Sequence, residues 1–333
     1  MFGSGPKPLA LTMGEPAGIG PDLILQLYAK RESLDLPPFV VFGHRGLLAA
    51  RARRLGLDFD IVEVTAVYVP AGFADALPVV SMDGEVADTP AEPDPNVAPI
   101  VIGSIANAVR AIRHGHLRGL VTAPIHKATL YGAGFEYPGH TEFLAALAAE
   151  DDTIPRPVMM LAHDDLRVVP LTVHIPLADV PDAVNQELIL ETVRIVDADL
   201  RNRFAIARPR IAISGLNPHA GEDGTIGREE IEVISPALEI LRADGLDVSG
   251  PHPADTIFYP PHWRRYDVVV AMYHDQALIP IKTLAFDAGV NVTLGLPFVR
   301  TSPDHGTAFA LAGKGEASTN SMLAAIRLAD AIS

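Results

Sequence analysis

Leu9-Ala10-Leu11-Thr12-Met13-Gly14-Glu15-Pro16-Ala17-Gly18-Ile19-Gly20-Pro21 runs from an apolar strand-like segment through a glycine-rich turn into a helical stretch, Asp22 to Ala29. The same alternation recurs along the chain. Phe39 to Gly43 reads as a strand before a helical Arg45 to Leu55, and Ile100 to His114 as a helix stopped at Gly115 before a strand at Gly119 to Thr122. Val158 to Ala162 and Arg167 to His174 read as adjacent strands, and Asn185 caps a helix reaching Phe204. Arg210 to Gly215 and Tyr266 to Tyr273 are further strands, with helices at Arg228 to Ala243 and Asn320 to Ile332. Short apolar runs alternating with longer amphipathic ones are the pattern of an α/β chain whose strands cross over through helices. The stretch from Asp83 to Pro99, with four prolines and several acids, reads as an exposed loop of no evident role. No fixed-period repeat is present.

With 333 residues, 48% of them hydrophobic, the chain can bury a large core and is expected to form two domains. It has no cysteine, so disulfides, a thiolate nucleophile and Cys-ligated zinc are excluded, and any metal must sit on His, Asp or Glu. The net charge of -15 argues against nucleic-acid and membrane-surface partners, which require a basic face. Met1-Phe2-Gly3-Ser4 leads into Lys7-Pro8-Leu9 without the pattern of a signal peptide. No run of about 18 apolar residues is seen either, so a cytoplasmic protein is expected.

Three histidines stand where strands are predicted to end. They are His174 in Leu171-Thr172-Val173-His174, His219 in Gly215-Leu216-Asn217-Pro218-His219-Ala220-Gly221-Glu222, and His274 in Met272-Tyr273-His274-Asp275-Gln276. In open parallel sheets strand carboxyl ends face the ligand crevice, and three neutral imidazoles leave positions open on a catalytic ion. Ordinary loop histidines are the alternative at each position. Lys282, Asn291 and Arg300 could together hold a phosphate or carboxylate, the alternative being scattered surface charge. The Gly14 to Pro21 turn could face an anion at a helix start, or be a tight structural turn; it is not a G-x-G-x-x-G. Gly139-His140-Thr141-Glu142 opens an apolar helical run, as a site or as plain helix-start chemistry.

These motifs, with Thr122-Ala123-Pro124-Ile125-His126-Lys127, resemble nearly end to end the 4-hydroxythreonine-4-phosphate dehydrogenase family of pyridoxal phosphate biosynthesis. Asp304-His305-Gly306-Thr307-Ala308 and Leu311-Ala312-Gly313-Lys314-Gly315 resemble the nucleotide loop of isocitrate and isopropylmalate dehydrogenases, the wider fold group. The resemblance implies two α/β domains with a cleft between them, residues 1–130 with 290–333 and residues 131–289. It implies NAD or NADP at Asp304, His305, Gly306, Thr307 and Gly313, and a divalent ion (zinc, magnesium or cobalt) on His174, His219 and His274. The resemblance further implies that this ion is shared between the subunits of a homodimer. It implies substrate contacts at His140, Thr141, Lys282, Asn291 and Arg300. Lys127, Asp255 and Asp275 are the candidates for the proton acceptor. The activity implied is oxidation of 4-phosphohydroxy-L-threonine followed by decarboxylation. The alternatives are a related dehydrogenase of phosphothreonate-like acids or cis-dihydrodiols, a metal-dependent hydrolase, and a non-catalytic binding protein for a phosphorylated metabolite.

Overall fold

A computed structural model describes residues 7–66, 72–151, 153–164 and 166–333. Its strands are, in chain order, β1 (Leu9–Thr12), β2 (Phe39–Gly43), β3 (Asp60–Glu63), β4 (Ala76–Ser81), β5 (Gly119–Thr122), β6 (Val158–His163), β7 (Leu166–Thr172), β8 (Arg210–Ser214), β9 (Asp247–His252), β10 (Val268–Tyr273), β11 (Val290–Leu294) and β12 (Val299–Pro303). The chain divides into two compact units, Met1–Pro157 with Leu296–Ser333, and Val158–Gly295. The first boundary therefore falls beyond position 130, where the sequence suggested it. The reason is packing, because Phe135, Phe143 and Leu144 fill the same core as Val101, Ile105 and Leu120.

In the first unit the strands run in the order β3-β4-β2-β1-β5-β12, every pair parallel. Thr12 lies level with Thr122, so β1 and β5 end together. The opening turn works as its sequence suggests. Gly14 has φ +73, and a side chain there would meet the carbonyl of Pro124, so only glycine allows the approach. Gly20 and Pro21 then begin the helix Gly20–Ala29. Pro95–Arg113 is, by length and composition, apolar enough to cross a bilayer, contrary to the expectation of no such stretch. Its apolar stripe, Val101, Ile105, Ala108, Val109 and Ile112, is instead buried, and the helix Ala98–Arg113 packs on β1, β2 and β5. Gly115, at φ +72, stops it as expected.

The second unit has the order β11-β6-β7-β10-β8-β9. β6 is antiparallel to both β11 and β7, while β7, β10, β8 and β9 are parallel. The side chain of Asn185 accepts from the Leu188 amide at 2.9 Å, so the predicted cap of the helix Gln186–Asn202 is present. The expected helix at 228–243 is divided. A π-helical turn, Glu230–Ile234, precedes the α-helix Ser235–Ala243. β7 stops at Thr172, which leaves His174 just beyond the strand.

Candidate active site

Within the second unit, three neighbouring parallel strands, β7, β10 and β8, each lead toward one of the three histidines. Their ends are fastened to one another. Thr172 Oγ1 donates to the carbonyl of Met272 at 2.8 Å, which ties β7 to β10. Gln276 ties β8 to β10: its Oε1 accepts from Ser214 Oγ at 2.8 Å and from the Met272 amide at 2.7 Å, and its Nε2 donates to the Gly215 carbonyl at 2.9 Å. Gln276 was visible in the sequence as part of a motif, with no role attached.

His274 opens the helix His274–Ala285, and its ring lies 5.6 Å, centroid to centroid, from that of the exposed His174. Asp275 Oδ1 lies 2.7 Å from His274 Nδ1, an arrangement that leaves Nε2 as the ring nitrogen able to act as a ligand. His219 is exposed at the start of a left-handed run, His219 to Asp223, with φ between 44 and 81. Left-handed backbone costs about 1–2 kcal/mol for each non-glycine residue, so surrounding structure must hold it. Glu230 does so. Buried at the π-helical turn, it accepts from the amides of Leu216 and Asn217, both at 2.8 Å, and from Asn217 Nδ2 at 2.9 Å. A side chain on Gly221 would strike Glu230, so that glycine is required for the contact.

Among the described residues no group of three or more His, Asp or Glu side chains is gathered closely enough to hold a metal ion. Three imidazoles on adjacent strand ends, one with a carboxylate behind it, fit a divalent ion by donor type. Lys282 lies on the helix that His274 opens, Asn291 in β11 opposite Leu161, and Asp255 is exposed on the short helix Ala254–Ile257.

The first unit carries a second group. Arg300, in β12, is 3% exposed, and its Nε and one terminal nitrogen donate to Thr122 Oγ1 at 3.2 and 2.6 Å. Burial pushes the guanidinium down to about 10, which still leaves it protonated at neutral pH. His140 opens the helix His140–Leu147, with Thr141 second and Glu142 third. Burial first, and then the charges of Arg300 and Lys127, hold the His140 imidazole well below its usual pKa. Its Nε2 is buried without a hydrogen-bond partner, as is Thr12 Oγ1 at the end of β1. Lys127 and Glu142 flank Gly139, each within 3.5 Å of where a side chain there would begin. Buried polar atoms left without partners beside a desolvated cation suit an anionic ligand that would satisfy both.

A histidine with a depressed folded pKa stabilises the fold above its unfolded value of 6.5, and that contribution is lost as pH falls below 6.5 toward the folded value. Urea unfolding between about pH 5 and 7 is expected to show a steeper loss of stability in the wild type than in His140→Gln. Equal slopes would remove the assignment of a neutral, buried imidazole.

The 304–315 loop lies against the opening turn of the same unit. The Ile19 amide donates to the Thr307 carbonyl at 3.0 Å, and a side chain on Gly18 would press on Thr307. The amide of Asp304 donates to Ser321 Oγ at 3.1 Å, and that of Gly313 to Asp22 Oδ2 at 2.7 Å. Gly306 borders open space, and His305 Nε2 is buried without a partner. A glycine edge open to solvent and an unsatisfied imidazole nitrogen fit a bound nucleotide.

Residues 35–329 match the family described as pyridoxal phosphate biosynthetic protein PdxA. The chain is 54% identical over 331 residues to a 4-hydroxythreonine-4-phosphate dehydrogenase of Bradyrhizobium diazoefficiens, covering 97% of this chain and 96% of the relative. The crystal structure of 4-hydroxythreonine-4-phosphate dehydrogenase from Klebsiella pneumoniae is similar at a TM-score of 0.84 and 38% identity, covering 98% of this chain and 99% of that one. A terephthalate 1,2-cis-dihydrodiol dehydrogenase from Burkholderia xenovorans is similar at a TM-score of 0.66 and 28% identity, covering 98% of both chains.

Proposed function

Because this chain belongs to the PdxA family of pyridoxal phosphate biosynthetic proteins, we propose that it oxidises 4-phosphohydroxy-L-threonine with NAD or NADP. The product, 2-amino-3-oxo-4-phosphohydroxybutyrate, loses carbon dioxide to give 3-amino-2-oxopropyl phosphate. The observation that carries this reading is the buried Arg300 guanidinium, fixed by Thr122 beside an unsatisfied, neutral His140, in a chain that matches the family over nearly its whole length.

Arg300, His140 and Thr141, with Lys282 and Asn291, orient the anionic ends of the substrate, which fixes the carbon that loses hydride. His174, His219 and His274 would hold a divalent ion (zinc, magnesium or cobalt), and Asp304, His305, Gly306, Thr307 and Gly313 the dinucleotide. When bound, the ion supplies Lewis acidity that lowers the pKa of an alcohol, and the nicotinamide accepts the hydride. Asp275, engaged with His274 Nδ1, orients that ring. Lys127 and Asp255 remain the groups to take the hydroxyl proton. Two subunits complete one metal set in a homodimer, and the enzyme works in the cytoplasm.

The test is the absorbance of reduced nicotinamide, followed with 4-phosphohydroxy-L-threonine, either nucleotide and a series of divalent ions. Ion-dependent reduction that a chelator stops is expected. Its absence with every combination would overturn the reading. A preference for a cis-dihydrodiol offered in the same assay would favour the likeness to the terephthalate 1,2-cis-dihydrodiol dehydrogenase instead.

A further inference from the structure

Arg51, on the helix Arg45–Arg54, is fully buried, and a buried guanidinium is tolerated only where charges and hydrogen bonds answer it. Its partners come from two other segments of the first unit. Nη1 pairs with Asp22 Oδ1 and donates to the Gly18 carbonyl at 3.2 Å, and Nη2 donates to the Pro16 carbonyl at 3.0 Å. Nε donates to Asp88 Oδ1 at 2.6 Å, while the other oxygen of Asp88 accepts from Arg54 Nε at 2.7 Å.

Both anchored segments in turn touch the 304–315 loop. The second oxygen of Asp22 accepts the Gly313 amide at 2.7 Å, and Ile19, next to the gripped Gly18, donates to Thr307. Downstream of Asp88, the Ala91 amide donates to the Ala17 carbonyl at 2.8 Å, and Pro90 packs so closely on Gly313 that a side chain there would begin 2.5 Å from it. No atom of Arg51 needs to touch a ligand for this arrangement to shape the loop.

We infer that Arg51 is a positioning residue for the dinucleotide, setting the 304–315 loop through Asp22 and Gly313 and holding residues 88–91 as a strap across it. The inference rests on the reading that this loop holds the dinucleotide. It gives the proline-rich, acidic 83–99 stretch a purpose that its composition did not disclose. A loop ordered before binding loses little further freedom when the ligand arrives, so the hub acts on dinucleotide affinity.

The test is steady-state kinetics of Arg51→Met and Asp88→Asn, varying dinucleotide and phosphorylated substrate separately, well below the unfolding temperature of each variant. The KM for dinucleotide is expected to rise at least about tenfold in Arg51→Met and severalfold in Asp88→Asn. The KM for the phosphorylated substrate should stay within about twofold, with kcat at saturating dinucleotide retained. An unchanged dinucleotide KM, or both constants rising together as general loosening would cause, overturns the inference. Should Arg51→Met fail to fold, Asp88→Asn decides alone, since it loosens the strap and leaves the Arg51 to Asp22 pair in place. Wild-type enzyme without dinucleotide-dependent turnover would defeat the underlying reading, and this inference with it, before any variant is made.

Discussion

Arg300→Ala is expected to lower kcat/KM for the phosphorylated substrate by about a thousandfold, mainly by raising its KM. Removing one partner of a buried, hydrogen-bonded charge pair costs about 2–5 kcal/mol, and about 4 kcal/mol corresponds to three powers of ten. The upper part of that range applies because Arg300 is 3% exposed, so water does not replace the lost fork. Thr122 Oγ1 accepts from two of its nitrogens and thereby fixes the plane of the guanidinium. Arg300→Lys keeps the charge and loses the fork, so it should fall between wild type and Arg300→Ala. Steady-state kinetics on variants shown by circular dichroism to be folded is the measurement. An unchanged KM for the phosphorylated substrate in Arg300→Ala would withdraw the anion-binding role.

His219→Ala is expected to reduce turnover at least about a hundredfold while barely changing stability. Losing even a residue behind a metal ligand costs about 10–100-fold, and a ligand itself should cost no less. The side chain is exposed, so its removal opens no cavity, and surface substitutions usually stay within about 0.5 kcal/mol. His219→Gly separates the two effects, because glycine relieves the left-handed backbone at φ 53 and should unfold at a slightly higher urea concentration while remaining as inactive. Full, chelator-resistant activity in His219→Ala would end the metal assignment.

The strands that could be read from sequence are those with continuous apolar runs, such as β1, β2, β5 and β10, each buried almost throughout. β3 and β9 carry too many polar or turn-forming residues to announce themselves, and they lie at the outer ends of their sheet orders. β12 is the more instructive miss. Val299-Arg300-Thr301-Ser302-Pro303 looks like surface, yet all five residues are buried, because Arg300 meets Thr122 and Thr301 Oγ1 donates to the Ala325 carbonyl. Arg51, one of four arginines among the ten residues of its helix, gave no sign of being interior. The residues alone left the histidines and the basic trio open between site and loop, and the family motifs narrowed that choice. The fastening by Gln276 and Glu230 depends on contacts between distant segments, which spacing along a chain does not encode.

The second unit begins with β6 and ends with β11, and these two strands pair antiparallel, with Val158 directly opposite Leu294. A stretch whose entrance and exit stand side by side behaves as a cassette, since excising it or splicing in a replacement asks the host chain to bridge only a few ångströms. An ancestral enzyme could thus exchange the histidine-bearing unit for another while the remaining unit kept its own strand order intact.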